Sequence, residues 1–238
     1  MDYYLDTEFL EGTQKKLFGK TKPTIDLISI GLVAEDGREY YAISKDFNLK
    51  EAWNRYDLEM QSGDMRNIFP EGRKIYWIRE NVLKPIFVQL LNPIMDSKDN
   101  NFRKFNYKNF KVLINKYGKP NKQISDELHD FCISYSSKSV EENNPKFYTY
   151  YGAYDWVVFC WLFGKMIDLP KGFPMYSNDL KQIFDEMEKK QLEDYKHLKN
   201  NAPTLKQHVD FPIQINQHNA LADAKWNQKL HRFLKSLQ

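Results

Sequence analysis

The chain has 238 residues, enough for one large domain, and its 35 Lys+Arg against 32 Asp+Glu leave a formal net charge of only +3. That near-balance excludes a histone-like or polybasic-tail protein, and 42% apolar with 15% aromatic residues excludes a disordered chain. Two cysteines, Cys132 and Cys160, cannot frame a disulfide scaffold or a four-cysteine zinc site. An acidic start, Met1-Asp2-Tyr3-Tyr4-Leu5-Asp6, and no apolar run near the ~18–20 residues of a membrane span point to a soluble protein of a reducing, cytoplasmic compartment.

In chain order, Asp2 to Glu8 alternates faces as a strand. A polar, Lys-rich connection from Gly12 to Pro23 precedes the β-branched run Ile25–Val33, a second strand. Asp36-Gly37 is a hairpin signal, and Arg38 to Ile43 returns as a third strand, completing an antiparallel meander. The period then changes: Asn48–Met60, Tyr76–Leu91 and Gln123–Ser136 read as helices, the second bent or divided by Pro85. Lys146–Tyr151 is a short aromatic strand closed by Gly152, and Asp155–Met166 is an apolar helix. Trp226, Leu230, Phe233, Leu234 and Leu237 recur at i, i+4, i+7, i+8 and i+11 and define a C-terminal helix. A meander followed by alternating helices and strands is an α/β or α+β layered arrangement, one domain over residues 1–238 with no internal repeat or linker.

Two stretches, Phe102–Lys122 and Phe184–Asn201, look like additions to that plan. Phe102–Lys122 interleaves seven Lys/Arg with Phe102, Phe105, Tyr107, Phe110 and Tyr117. It reads either as an RNA-tracking surface or, preferably, as an insertion with a solvated Lys face and rings packed inward. Phe184–Asn201 is dense in charge and reads as a solvated helix, with Asp185/Lys189 and Glu186/Lys190 at i, i+4.

The carboxylates carry the chemistry. Asp6 and Glu8, two apart on the first strand, share a face. A surface strand tolerates such a pair, but a central one makes both charges costly, and a hard divalent cation such as Mg²⁺ or Mn²⁺ relieves the conflict. Asp155 follows a strand, a glycine and a ring in Tyr151-Gly152-Ala153-Tyr154-Asp155, where it suits a helix N-cap or an acid entering the same pocket. His218 and Asp223 would stand about 140° apart on one helix, so His218 belongs to the preceding loop and Asp223 to the first turns. The remaining histidines, His129, His197, His208 and His231, have no evident partners, and His231 reads as an exposed mid-helix residue. Cys132 and Cys160 read as inert core thiols.

Taken together, D-T-E-F-L-E from Asp6, I-D-L-I-S-I-G-L-V-A-E-D-G-R-E-Y-Y from Ile25, Y-G-A-Y-D ending at Asp155 and H-N-A-L-A-D-A from His218 resemble the DEDDh 3′–5′ exonucleases of the ribonuclease H-like superfamily. Within that group the chain is most similar to the small RNase T-like exoribonucleases of bacteria and phages. The resemblance covers residues 1–45, 146–170 and 215–235 well and about 95–125 and 185–210 poorly, which marks those two stretches as insertions. It implies an α/β fold with a ribonuclease H-like mixed sheet of five to six strands, the antiparallel meander first, flanked by helices, and two Mg²⁺ (or Mn²⁺) ions held by Asp6, Glu8, Asp155 and Asp223. His218 matches the general base, a role suited to an imidazole near neutral pH. Nucleoside 5′-monophosphates would leave one at a time from the 3′ end of RNA, single-stranded or as a 3′ overhang. Thr7, Glu8, Phe9 and Tyr154 match substrate-binding positions, Phe9 and Tyr154 by stacking and Thr7 through its backbone. A homodimer is implied by the resemblance alone, since no heptad or self-complementary patch is visible. Two other readings stay open: a 3′–5′ DNA exonuclease on the same fold, and a catalytically silent nucleic-acid-binding module.

Overall fold

The computed structural model describes residues 1–14, 22–59, 73–91, 104–133, 144–194 and 203–238. The meander is present and longer than its sequence signals. Strand β1 spans Asp2–Gln14, β2 Lys22–Ala34 and β3 Glu39–Ile43, with β1 antiparallel to β2 and β2 to β3. Glu8 therefore sits in mid-strand rather than at a strand end, and residues 12–14 and 22–23, expected in the polar connection, belong to the strands; residues 15–21 lie outside the described residues. Backbone pairing as far as Gln14↔Lys22 carries the hairpin past the point where its side chains stop looking like a strand.

After Ile43 come helix α1 (Leu49–Asn54) and a small separate hairpin, β4 (Asp57–Glu59) with β5 (Arg73–Ile75). The helix expected over Asn48–Met60 is thus cut short at Asn54, where Arg55 turns extended; Met60 lies outside the described residues. Pro85 changes the winding of its helix without interrupting it. A π-turn over Arg79–Leu83 leads into α2 (Lys84–Leu91), and the wider turn accommodates a ring that would crowd the carbonyl four residues back.

Helices α3 (Tyr107–Tyr117) and α4 (Asn121–Ile133) precede β6 (Lys146–Thr149). Then follow α5 (Ala153–Phe163), β7 (Asn178–Asp179), α6 (Leu180–Asp194) and α7 (Ala220–Ser236). Gly164, at φ 120°, ends α5 before the expected Met166. Helix α6 starts earlier than Phe184, and its ion pair is Lys181–Asp185; residues 195–201 fall outside the described residues.

The main sheet has the order β3-β2-β1-β6-β7, with β6 parallel to both β1 and β7. This is the mixed five-stranded, helix-flanked α/β arrangement expected of a ribonuclease H-like fold. Tyr3, Leu5, Phe147, Phe159 and Leu128 pack one face against α4 and α5. On the other face Tyr4 and Val33 meet Ala224 of α7. Leu230 and Leu234 of α7 are essentially fully buried, each contributing about 1.5–3 kcal/mol of burial that clamps the helix down.

His231 is not exposed. It is buried in α7, its Nδ1 lies 3.0 Å from the Tyr4 hydroxyl, and its ring centroid lies 4.0 Å from that of Tyr148. A histidine amid apolar helix positions was read by its polarity, whereas its aromatic ring fills the core. The inward packing of the 102–122 rings holds for the described part: Phe110 is fully buried, and Phe105 packs on Trp53 and Phe87 at 4.8 and 5.2 Å.

Candidate active site

The site forms where β1 outruns its parallel neighbour. Strand β6 pairs with β1 only at Asp2, Tyr3 and Tyr4, so the next backbone groups on that edge need other partners. Asn227 of α7 donates its side-chain N–H to the Leu5 carbonyl at 3.0 Å. The Thr7 N–H goes to Asp155 Oδ1 at 2.8 Å, and the Thr7 hydroxyl to the same oxygen at 2.6 Å. The side chains that complete the sheet edge are thus the ones that assemble the site.

Asp155 is not the cap of α5. Gly152 occupies the N-cap without a side-chain bond, and Asp155 lies in the first turn, buried against Thr7. A Cβ on Gly152 would fall 1.7 Å from the Thr149 hydroxyl, so only glycine lets the turn close this tightly. The same turn is tied from the far side by Asp179. Its carboxylate accepts the Tyr151 and Gly152 N–H groups, both at 3.2 Å, and the Lys181 N–H at 2.8 Å. Tyr151 is held there at φ 56°, a left-handed conformation a tyrosine rarely adopts unaided.

Asp6 and Glu8 point to the opposite face from Thr7, toward α7, as period-2 geometry requires. Helix α7 comes close because Gly31, the β2 partner of Asp6, has no side chain. A Cβ there would lie 2.3 Å from the Ala220 carbonyl oxygen. Asn219 caps the helix by accepting the Ala222 N–H at 3.0 Å, and its amide donates to Gln89 of α2 at 3.1 Å. His218 stands in the loop before the helix, as its spacing from Asp223 requires, in a left-handed conformation with φ 65°.

The result is a set of three carboxylates, Asp6, Glu8 and Asp223, each offering an oxygen within 4.8 Å of the others. Glu8 and Asp223 are buried and Asp6 partly so. Asp155 stands beside this set rather than in it, its Oδ1 taken twice by Thr7. Asp223 accepts the Gln214 amide at 2.7 Å and the His218 backbone N–H at 2.8 Å.

Burial, with the negative charges of Asp155, Glu8 and Asp223, raises Asp6 well above the usual carboxylate range. Burial and the Asp223 and Asp155 charges push Glu8 to about 8. Asp155 rises to about 6 through burial, tempered by its Thr7 bonds. Burial also raises Asp223, against the Gln214 and His218 bonds. Crowded carboxylates that would otherwise hold protons fit a hard divalent cation, which removes the repulsion and satisfies the oxygens.

The acids floor a cleft of about 450 Å³ whose walls include Phe9, Trp77, Tyr150, Tyr151, Tyr154, Gln214 and His218. Tyr154 is half exposed, and its ring lies 5.7 Å from Phe9. Trp77 meets the His218 ring edge-on at 4.7 Å. All eight residues singled out from the sequence line this one cleft: Asp6, Thr7, Glu8, Phe9, Tyr154, Asp155, His218 and Asp223. Sequence reasoning missed Trp77, Gln214 and Asp179. Only Asp179 had a signal, an Asn-Asp pair opening a helical period. Trp77 and Gln214 reach the cleft through tertiary packing alone.

Comparison with known proteins gives an independent result. A family model described as the 3′-5′ exoribonuclease Rv2179c-like domain matches residues 106–234. That segment contains Asp155, His218 and Asp223, while Asp6 and Glu8 precede it. Two curated proteins of Mycobacterium tuberculosis are similar to the chain: 3′-5′ exoribonuclease Rv2179c, from strain H37Rv, and 3′-5′ exoribonuclease MT2234.1, from strain CDC 1551. Each is 28% identical over 186 residues, covering 78% of this chain and 75% of the relative.

Proposed function

Because the chain belongs to the Rv2179c-like 3′-5′ exoribonuclease domain family, we propose that it is a metal-dependent 3′–5′ exoribonuclease of DEDDh, RNase T-like type. The observation that carries this reading is the meeting of Asp6, Glu8 and Asp223 within 4.8 Å at the floor of a ring-lined cleft. Asp6, Glu8, Asp155 and Asp223 would hold two Mg²⁺ or Mn²⁺ ions, Asp155 through the Oδ2 that Thr7 leaves aside. Bound there, such cations supply Lewis-acid stabilisation of the attacking and leaving oxygens and lower the pKa of the attacking water.

The chain's own residues do the rest. Thr7 fixes Asp155, and Gln214 and the His218 backbone orient Asp223. His218 takes the proton of the attacking water with its ring, which Trp77 braces edge-on. Phe9 and Tyr154 stack on the terminal base, a contact open to any base. The leaving group is the shortened RNA with its 3′-oxygen, and the product is a nucleoside 5′-monophosphate. The whole of residues 1–238 is read as one domain, with 95–125 and 185–210 as additions to the shared plan.

The test is a sequencing gel of 5′-labelled single-stranded RNA and the matching DNA with Mg²⁺, Mn²⁺ or EDTA, with the Asp6→Ala variant alongside. A ladder shortening from the 3′ end of RNA, dependent on metal and absent in the variant, is the expected result. Preferential loss of DNA would move the reading to a DNA exonuclease. Retention of RNA without cleavage would overturn the enzymatic reading in favour of a silent binding module.

A further inference from the structure

The acid cleft does not end at its own rim. A second groove, of about 290 Å³, is lined by Phe9, Glu11, Arg55, Asp57, Trp77 and Ile78. Phe9 and Trp77 line both hollows, so the two adjoin across these rings. Trp77 is 41% exposed although large and apolar, and its ring leans on His218 at the boundary. We propose that this groove receives the RNA upstream of the scissile phosphate, with Trp77 as the stacking platform for the first upstream base. The proposal rests on the exoribonuclease reading of the cleft.

The chemistry of the lining says how a strand would lie. Among the described residues of the lining, Glu11 and Asp57 are acidic, and the one cation, Arg55, is engaged by Glu51 at 2.6 Å. Phosphates would be repelled from this floor. Bases would therefore face inward, onto Trp77, Phe9 and Ile78, while the sugar-phosphate backbone stays toward solvent. Such a track gains affinity from stacking and little from counterion release, so it contributes almost nothing to the salt dependence of binding. It also grips any base, because every base offers a π-face.

The experiment compares two substrates in Mn²⁺: an RNA of about ten nucleotides and a p-nitrophenyl ester of a nucleoside 5′-monophosphate, which has no upstream strand. Trp77→Ala should raise KM for the RNA by roughly five- to 150-fold, the range expected for losing one base stack. The ester should show a much smaller change in KM, and Trp77→Phe should restore most of the RNA affinity. A fall in kcat on both substrates is the loss of the His218 brace; equal rises in KM on the two would overturn the proposal and leave Trp77 as that brace alone.

Glu11→Lys, an exposed change on the groove floor, is the second probe. Its four-carbon stem carries the ammonium from the floor toward the backbone at the rim, so it should tighten RNA binding and steepen its logarithmic salt dependence by about 0.7, the value for one added phosphate contact on a single strand. No change in either quantity would overturn the strand path even if Trp77→Ala proved unstable. A wild-type protein that turns over neither substrate would instead sink the exoribonuclease reading itself, which keeps the two failures apart.

Discussion

Two stretches of this chain mix rings with cations, and they end up in opposite places. Residues 104–122 carry Phe105, Tyr107, Phe110 and Tyr117 among lysines, yet Phe110 is fully buried and Phe105 packs on Trp53 and Phe87. Residues 73–79 read Arg-Lys-Ile-Tyr-Trp-Ile-Arg, and there Trp77 stays 41% exposed on the wall of the acid cleft. Composition is the same kind in both. What differs is the partner: α3 lies as a whole helix on the core, whereas Trp77 stands just before a π-turn, where its ring meets the cleft. A basic-aromatic stretch thus does not fix where its rings go; packing decides whether they fill the core or stand at a cleft.

The contrast predicts that cleft and α3 substitutions separate activity from stability. The largest effect belongs to the cleft. Asp6→Asn should lower RNA cleavage roughly a hundredfold or more through loss of a ligand position, while RNA retention on a filter persists. The same variant in EDTA at about pH 8 should melt higher than wild type, by roughly 2–4 °C for each ~1 kcal/mol of charge repulsion relieved. Loss of binding together with cleavage, or a lower melting temperature, would mean that the acid is structural.

Next comes the opposite case in α3. Phe110→Ala removes a buried ring that touches Trp53, Phe87 and Phe105. The expected cost is about 3–5 kcal/mol in unfolding free energy, read by urea denaturation, with kcat on the p-nitrophenyl ester unchanged below the melting range. A kcat loss matching that of Asp6→Asn would bring α3 into the site and erase the distinction.

Much of this arrangement was legible, for identifiable reasons. The meander could be read because period-2 alternation and Asp36-Gly37 are local signals. Asp6, Glu8, Asp155, His218 and Asp223 were legible as a set only through the resemblance of their motifs to the DEDDh exonucleases, since the Asp6/Glu8 and His218/Asp223 spacings and the helix-start place of Asp155 each fit blander roles taken alone. What escaped was set by distant contacts. Leu5 and Thr7 need backbone partners because β6 stops at Thr149, a fact no window around residue 7 contains. The β4–β5 hairpin joins short, polar segments separated in sequence, and His231 looks exposed until Tyr4 and Tyr148 are placed against it.

Those two buried titratable places, the acid cleft and His231, should also pull stability in opposite directions with pH. Glu8 is raised from 4.5 to about 8 by burial and the neighbouring acids, so the folded state holds its proton more tightly than the unfolded chain does. That contribution is full below about pH 4.5 and is lost as pH rises through about 8. Burial lowers His231 from 6.5 to about 4, so its contribution is present above about pH 6.5 and lost as pH falls toward 4. Thermal melts in EDTA should fall on both sides of an intermediate optimum. Glu8→Gln should flatten the alkaline limb alone and His231→Phe the acid limb alone, while Mn²⁺ should lift the alkaline limb. An alkaline limb indifferent to both Glu8→Gln and Mn²⁺ would mean that its fall originates elsewhere in the protein.

The smallest effect is the sharpest test of the opening contrast. Lys108 and Lys111 are exposed on α3, on the side away from buried Phe110, Leu113 and Ile114. Were α3 the surface that tracks RNA, replacing both by alanine would remove two phosphate contacts and reduce the logarithmic salt slope of binding by about 1.4. With the strand running instead past Trp77, the double variant should change RNA affinity by less than about twofold and leave the slope where it was. Filter binding of a single-stranded RNA across a salt series measures both quantities at once. A reduced slope would hand the strand to α3, and a constant one would leave those lysines as the solvated face of a helix whose work is done by its rings.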